Sequence, residues 1–303
     1  MRNYPKQVLT IDQQVQSYID AGMDIPSIDD AKKAMLEIGY YRLRGYCFQC
    51  YDNTSKKYAP GTNFQDVLNL YHFDMNLSYL LFGFLTSIEV ALRVRLVQAL
   101  LIRGDALAYM DPAAFEDKEL YWQNLSTISS EIHRSKDVFI KHNFDNHEGE
   151  IPIWAAVEVM SFGTLSKTIK NLKSGANSPY AYLAQNYRYT SQQNGNSVVP
   201  TIKMFSSWTQ SAVVLRNMCA HNARIYNRAI NTRPQLVGKD KISPQPKYNG
   251  LYQVVLAMKY LRPDDDSWIT FFGDLKALFI KYDGKFKIDR LNFPADWETH
   301  LTL

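Results

Sequence analysis

Apolar residues recur three and four positions apart along most of the chain, the spacing of helices with one buried face. Ile11, Val15, Tyr18 and Ile19 predict a first short helix that stops near Gly22. Ser27 followed by Asp30 predicts an N-cap with a first-turn acid, and Ala31, Met35 and Ile38 carry the face to Gly39. Residues 40–62 break the period. Tyrosines alternate there with Arg and Cys before a Pro-Gly turn, which predicts a short hairpin or an aromatic-rich extended segment. Asn63 is a candidate cap for the next helix. Phe64 to Arg103 contains no proline and a single glycine, Gly83, so it reads as one long helix or as two with a kink.

Farther on, Ala113 to His142 suggests another helix, with charged loop material from Asn143 to Glu150. Pro152 opens a helical pattern from Trp154 to Leu172 with Gly163 inside it. Residues 174–200, rich in Ser, Asn, Gln and Gly, read as a mobile connection. Pro200 opens the pattern Ile202, Phe205, Trp208, Ala212, Leu215, Met218, Cys219, Ile225. Residues 231–250 carry three prolines and no period, and two more helical stretches follow, Leu251 to Leu261 and Ser267 to Tyr282. The pattern predicts an all-α protein: an N-terminal helical and extended module (1–62), a helical domain (63–235) and a C-terminal helical extension (236–303).

With 303 residues, 46% hydrophobic and 21% charged, the chain can bury a core without staples, and neither long disorder nor collagen-like repeats fit. Forty residues are aromatic, half of them tyrosine, offering either core or stacking faces. Three cysteines, Cys47, Cys50 and Cys219, are too few and odd in number for a secreted disulfide scaffold, and Cys47 and Cys50 alone do not complete a zinc site. Free, buried or half-buried thiols in a reducing cytosol are expected. The N-terminus lacks an apolar signal-peptide core, and the most apolar run, Leu77 to Leu85, is too short to span a bilayer. A soluble cytoplasmic protein without a membrane partner is expected. No phosphate-binding glycine pattern follows a predicted strand, and no metal or cofactor is expected.

Charge changes the picture. The net +4 is modest, but Arg216 to Lys247 holds seven bases (Arg216, Arg224, Arg228, Arg233, Lys239, Lys241, Lys247) against Asp240, a local +6 that makes a candidate anion site. Within it Arg216 and His221 stand four residues apart. Asn217, Arg224 and Arg228 fall at i−4, i+3 and i+7 from His221, on one side of a continued helix. Arg216 lies about 140° around from His221 at 100° per residue, so the two meet at one phosphate only if the helix is distorted or capped, or if the Arg side chain wraps the groove. The set suits RNA cleavage without a metal. Histidine can move a proton to or from a ribose 2′-OH or a leaving 5′-oxygen, and Arg can bind phosphate bidentately and stabilise a pentacoordinate transition state. A solvated basic helix face with a surface histidine has the same spacing.

The ordered pieces LTIDQQV, KAMLEIGYYRLRGY, LYHFDMNLSYLLFGFLTSIEVALRVRL, FIKHNF, IPIWAAVEVMSFGTLSKTIKNL and LRNMCAHNARIYNR, spread over roughly residues 8–230, resemble the Abi-like (abortive infection, AbiD/AbiF type) phage-defence family. That family looks like a branch of the HEPN superfamily, whose hallmark R-x4-6-H Arg216, Asn217 and His221 match. Asn222 stands where many relatives carry a second histidine. The resemblance implies an all-α HEPN-like bundle, a metal-independent endoribonuclease, and a homodimer in which two motifs share a cleft. It also implies an RNA partner, in some relatives a noncoding RNA.

Other candidates keep two readings. Glu89 and Arg93, at i, i+4 with Arg95 nearby, form either a surface ion pair or, as the resemblance supports, a helix facing the motif in which Glu89 orients Arg216 or His221 and Arg93 meets RNA. Arg42 and Arg44 among Tyr40, Tyr41 and Tyr46 suit single-stranded RNA, or else the tyrosines pack and the arginines are solvated. Glu158 reads as a partner of a buried Arg or as an orienting group. His72, His133, His142, His147 and His300 read as surface or packing residues. Two rival functions remain open: a non-catalytic protein holding a structured noncoding RNA through its basic segment, and a protein-interaction scaffold with Tyr-rich helices.

Overall fold

Capping residues set where the helices begin. In the computed structural model, which describes residues 8–191, 194–240 and 248–303 apart from the Lys239 side chain, the Thr10 hydroxyl accepts from Gln13 N (3.3 Å) while the Gln13 side chain accepts from Thr10 N (2.9 Å). This box starts α1 (Ile11–Asp20). Ser27 caps α2 (Ile28–Glu37) as expected, accepting from Asp30 N at 3.2 Å. Gly39, at φ 94°, turns the chain through a conformation that glycine adopts cheaply. The segment expected to be extended then begins as a short helix, α3 (Tyr40–Arg44), because Tyr40, Leu43 and Tyr46 keep a helical spacing with Leu43 and Tyr46 buried. The hairpin follows, with β1 (Tyr51–Asp52) antiparallel to β2 (Lys57–Tyr58).

Asn63 accepts from Gln65 N at 2.7 Å, and α4 (Phe64–Leu101) runs 38 residues through Gly83 without a break. Two expected helices are each divided. Ala113 to His142 becomes α5 (Lys118–Arg134) and α6 (Val138–Asn146), and Trp154 to Leu172 becomes α7 (Ile153–Val159) and α8 (Phe162–Lys170). Neither break has Gly or Pro. The second is made by Ser161, whose extended backbone and hydroxyl, accepting from Thr164 N at 3.2 Å, restart the helix. The expected mobile connection carries α9 (Pro179–Ala184) and a hairpin of β3 (Tyr189–Thr190) and β4 (Ser197–Val198), anchored by buried Tyr180, Leu183 and Tyr187. After α10 (Ile202–Ala220) come α11 (Leu251–Leu261), α12 (Asp265–Lys281) and α13 (Trp297–Leu301). The fold is all-α with two small hairpins among the described residues. No helix among them is long and apolar enough to cross a membrane.

The chain packs as two compact units, Met1–Ser78 with Leu275–Lys287, and Tyr79–Asp274 with Ile288–Leu303. The first unit takes in the start of α4 and residues 275–287. In its core Tyr18 stacks on Tyr58 (5.8 Å), Phe73 stacks on Phe286 (4.0 Å), and buried Asp74 accepts from the Tyr46 hydroxyl at 2.8 Å. None of the three cysteines is in a disulfide, and Cys47 and Cys219 are buried. Burial, then the neighbouring Cys50, pushes the Cys47 thiol up to about 12. Iodoacetamide at mildly alkaline pH is expected to leave Cys47 unmodified until the protein is denatured; peptide mapping that finds native Cys47 labelled contradicts this.

In the second unit α10 packs between α8 and α11. Every residue of α11 is buried, its Lys259 ammonium donating to the His300 and Thr302 carbonyls at 2.8 and 2.6 Å. Phe205, Trp208, Ala212 and Leu215 form the inner face of α10, and Trp208 stacks on Tyr260 at 5.1 Å. Burial of that face fixes which way Arg216 and its neighbours point.

Candidate functional site

Leu215 is fully buried, so its neighbour Arg216 leaves the α10 core face sideways, toward α4. There it meets Glu89. The Glu89 carboxylate is buried between two guanidinium groups. Its Oε2 accepts from Arg216 Nε (3.0 Å) and Nη2 (2.6 Å), and its Oε1 accepts from Arg93 Nη1 (2.7 Å). Arg93 also donates to the Val157 and Met160 carbonyls, at 3.1 and 2.6 Å, where α7 ends. Arg216 Nη1 donates to Asn217 Oδ1 at 3.1 Å, and the Phe162 ring lies 5.7 Å from the guanidinium. One buried carboxylate thus fixes two cations through charge-assisted hydrogen bonds. Three of the five Arg216 donors have partners among the described residues, which leaves two N–H groups on a side chain 25% exposed.

The helix ends where the motif does. His221 is the C-cap (φ −93°, ψ 14°), its N–H bonded to the Asn217 carbonyl at 3.0 Å. Asn222 turns left-handed at φ 50°; its N–H reaches the Cys219 carbonyl at 3.0 Å, and Ala223 N–H reaches the Met218 carbonyl at 2.8 Å. These bonds make a Schellman end with Asn in the position that glycine or asparagine favours. The cap falls at His221 itself, so α10 stays regular from Arg216 to Ala220. The imidazole is exposed and makes no hydrogen bond among the described residues.

The same turn corrects one expectation. Arg224 and Arg228 do not continue a helical face with His221, because α10 stops at Ala220 and Asn222 and Asn227 (φ 52°) both reverse the chain. Arg224 is half-buried and Arg228 exposed, on the loop that follows. Of the remaining basic segment, Lys241, Lys247 and the Lys239 side chain lie outside the described residues. Asn222→Val is expected to lower stability by roughly 1–2 kcal/mol in urea unfolding, more than Asn222→Gly does, since the left-handed backbone penalises a branched side chain and not glycine.

Arg93, an expected RNA contact, is 13% exposed and committed to Glu89 and two carbonyls, which makes it a strut of the site. The two carbonyls lie 64 and 67 positions away, beyond what local spacing signals. Glu158, expected as the partner of a buried Arg or as an orienting group, is exposed. Arg42 and Arg44 belong to the first unit, both exposed. Arg44 donates to the Tyr40 hydroxyl at 3.0 Å and lies 5.2 Å from the Tyr51 ring centre, while Tyr46 packs inside and Tyr41 is 89% exposed. His72, His133, His142 and His147 are exposed, and His300 pairs with Asp296.

A family model described as Abi-like protein matches residues 33–227, the stretch that contains Glu89, Arg93, Arg216 and His221. No curated protein and no solved structure matches the chain.

Proposed function

The chain belongs to the Abi-like family of abortive-infection, phage-defence proteins, and we propose that it is a metal-independent endoribonuclease of the HEPN kind, with Arg216 and His221 at its centre. The observation that carries this reading is the anchoring of Arg216: Glu89 and Asn217 hold three of its donors, on a side chain that stays 25% exposed in the helix that His221 caps. A guanidinium held this way costs little further ordering when a phosphate arrives.

In the reaction a histidine takes the proton of the ribose 2′-OH as the oxygen attacks phosphorus. The P–O5′ bond breaks, and the 5′-oxygen leaves with a proton supplied by a second acid. Arg216 stabilises the charge on the phosphorane oxygens. Two copies of the chain supply both proton carriers, His221 of each, at a shared cleft. Asn217 holds the Arg216 fork, and Arg224 and Arg228 bind flanking phosphates.

The test is cleavage of total cellular RNA in EDTA by the wild type and by His221→Ala, with the product ends identified. Products ending in 2′,3′-cyclic phosphate or 3′-phosphate, lost in the variant, are expected. Full activity in the variant overturns the reading.

A further inference from the structure

Apart from the Glu89–Arg216 cluster, the second unit contains a cavity of about 350 Å³ whose walls carry chemistry that the ribonuclease reading does not use. Its volume falls within the range of small-ligand sites. Trp154, on the first turn of α7, lines it while 52% exposed, a large aromatic surface left open to solvent. Glu150 lines it too, and among the described residues its carboxylate has neither a hydrogen-bond nor an ion-pair partner. The His142 and His147 rings form another wall and meet edge to face, centroids 5.1 Å apart. Leu107 and Pro152 supply an apolar floor. The left-handed turn at Glu148 (φ 53°) and Gly149 (φ 78°) brings Glu150 back under His147, its N–H bonded to the His147 carbonyl at 2.8 Å.

Charge selects among ligands. Residues 141–150 carry Asp145, Glu148 and Glu150 against Lys141, a locally acidic stretch in a chain of net charge +4. A phosphate is repelled there and a cation attracted. Among the described residues no group of three or more His, Cys, Asp or Glu is placed to hold a metal ion. The features that remain are an indole face, an unpaired carboxylate, two imidazole faces and an apolar floor. An indole face binds an organic cation through its ring quadrupole. A carboxylate with two free oxygens matches a planar fork of two N–H donors better than a point-like ammonium. The floor accommodates a methylene stem.

We propose that this cavity is a binding site for a guanidinium group on an alkyl stem, Glu150 taking the fork and Trp154 its flat face. The group can come from a free guanidinium compound or from an arginine side chain of a partner protein. Calorimetry on the full chain tests it, with agmatine, cadaverine, an arginine-containing tripeptide and GMP as probes. Saturable agmatine binding is expected, at least about tenfold tighter than cadaverine, and weakened about tenfold or more by Glu150→Gln and by Trp154→Ala. His221→Ala is expected to bind agmatine like the wild type, so the result does not depend on whether the protein cuts RNA. Tighter binding of the tripeptide assigns the site to a partner's arginine, and tighter binding of agmatine assigns it to a free compound. No saturable agmatine binding, equal binding of cadaverine, preference for GMP, or affinity unchanged in Glu150→Gln overturns the proposal.

Discussion

Replacing His221 with alanine is expected to lower RNA cleavage by about 10²–10⁴-fold, the usual contribution of a positioned general acid–base group. The fold is expected to survive, because the turn at the end of α10 is held by backbone bonds from His221, Asn222 and Ala223 and by the left-handed Asn222, while the imidazole itself is exposed. Unchanged circular dichroism and an unchanged urea midpoint, beside lost cleavage in EDTA, would assign the loss to chemistry. If two copies share the cleft, mixing His221→Ala with Arg216→Ala chains is expected to restore less than the wild-type rate, since no mixed site holds a full set. An outcome in which neither wild type nor variant cuts, yet both bind RNA with an affinity that falls steeply with salt, moves the protein to the RNA-holding reading.

The parts of this site differ in how much of them the sequence displays. The end of α10 is marked by Asn222, a residue type that tolerates the left-handed conformation, yet the apolar positions run on to Ile225 and suggest that the helix continues. The apolar period overrides that local stop signal and places Arg224 and Arg228 on a helix face that ends before it reaches them. The breaks that divide α5 from α6 and α7 from α8 are of the same kind: Asp137 and Ser161 are N-cap residue types, Asp137 after the polar run His133–Lys136 and Ser161 between Met160 and Phe162. By contrast α11 has the limits its apolar run predicts, because a helix buried on every side needs no face to be chosen. Glu89 was conspicuous as an acid within an apolar helix. Its pairing with Arg216 spans 127 positions, so the residue could be flagged from composition but its partner only from the resemblance. The two carbonyls that receive Arg93 leave no side-chain signature at all, which is why that arginine read as an RNA contact.

Truncating Glu89 is expected to do the largest damage to stability. In Glu89→Ala the guanidinium groups of Arg93 (13% exposed) and Arg216 (25% exposed) lose their shared carboxylate and face each other across the space it leaves. Removing one partner of a buried ion pair costs about 3–5 kcal/mol, because the charge left behind is not resolvated. Arg216→Ala is expected to cost less, since the Glu89–Arg93 pair at 2.7 Å remains and the lost side chain is the more exposed of the two. Arg93→Ala should fall between, as it also strands the Val157 and Met160 carbonyls. Urea unfolding of the three variants should therefore rank Glu89→Ala, Arg93→Ala and Arg216→Ala in decreasing order of lost stability. For cleavage the order should differ: Arg216→Ala, the mildest for the fold, should abolish it, because Arg216, the more exposed of the two guanidinium groups on Glu89, is the one this reading sets on the phosphate. A chain with Glu89→Leu, Arg93→Met and Arg216→Met is expected to regain most of the lost stability, as hydrophobic replacements of buried ion networks often do, and none of the cleavage. If the two rankings coincide, Arg216 serves only the fold, and the exposed histidine beside it is left without a phosphate-binding partner.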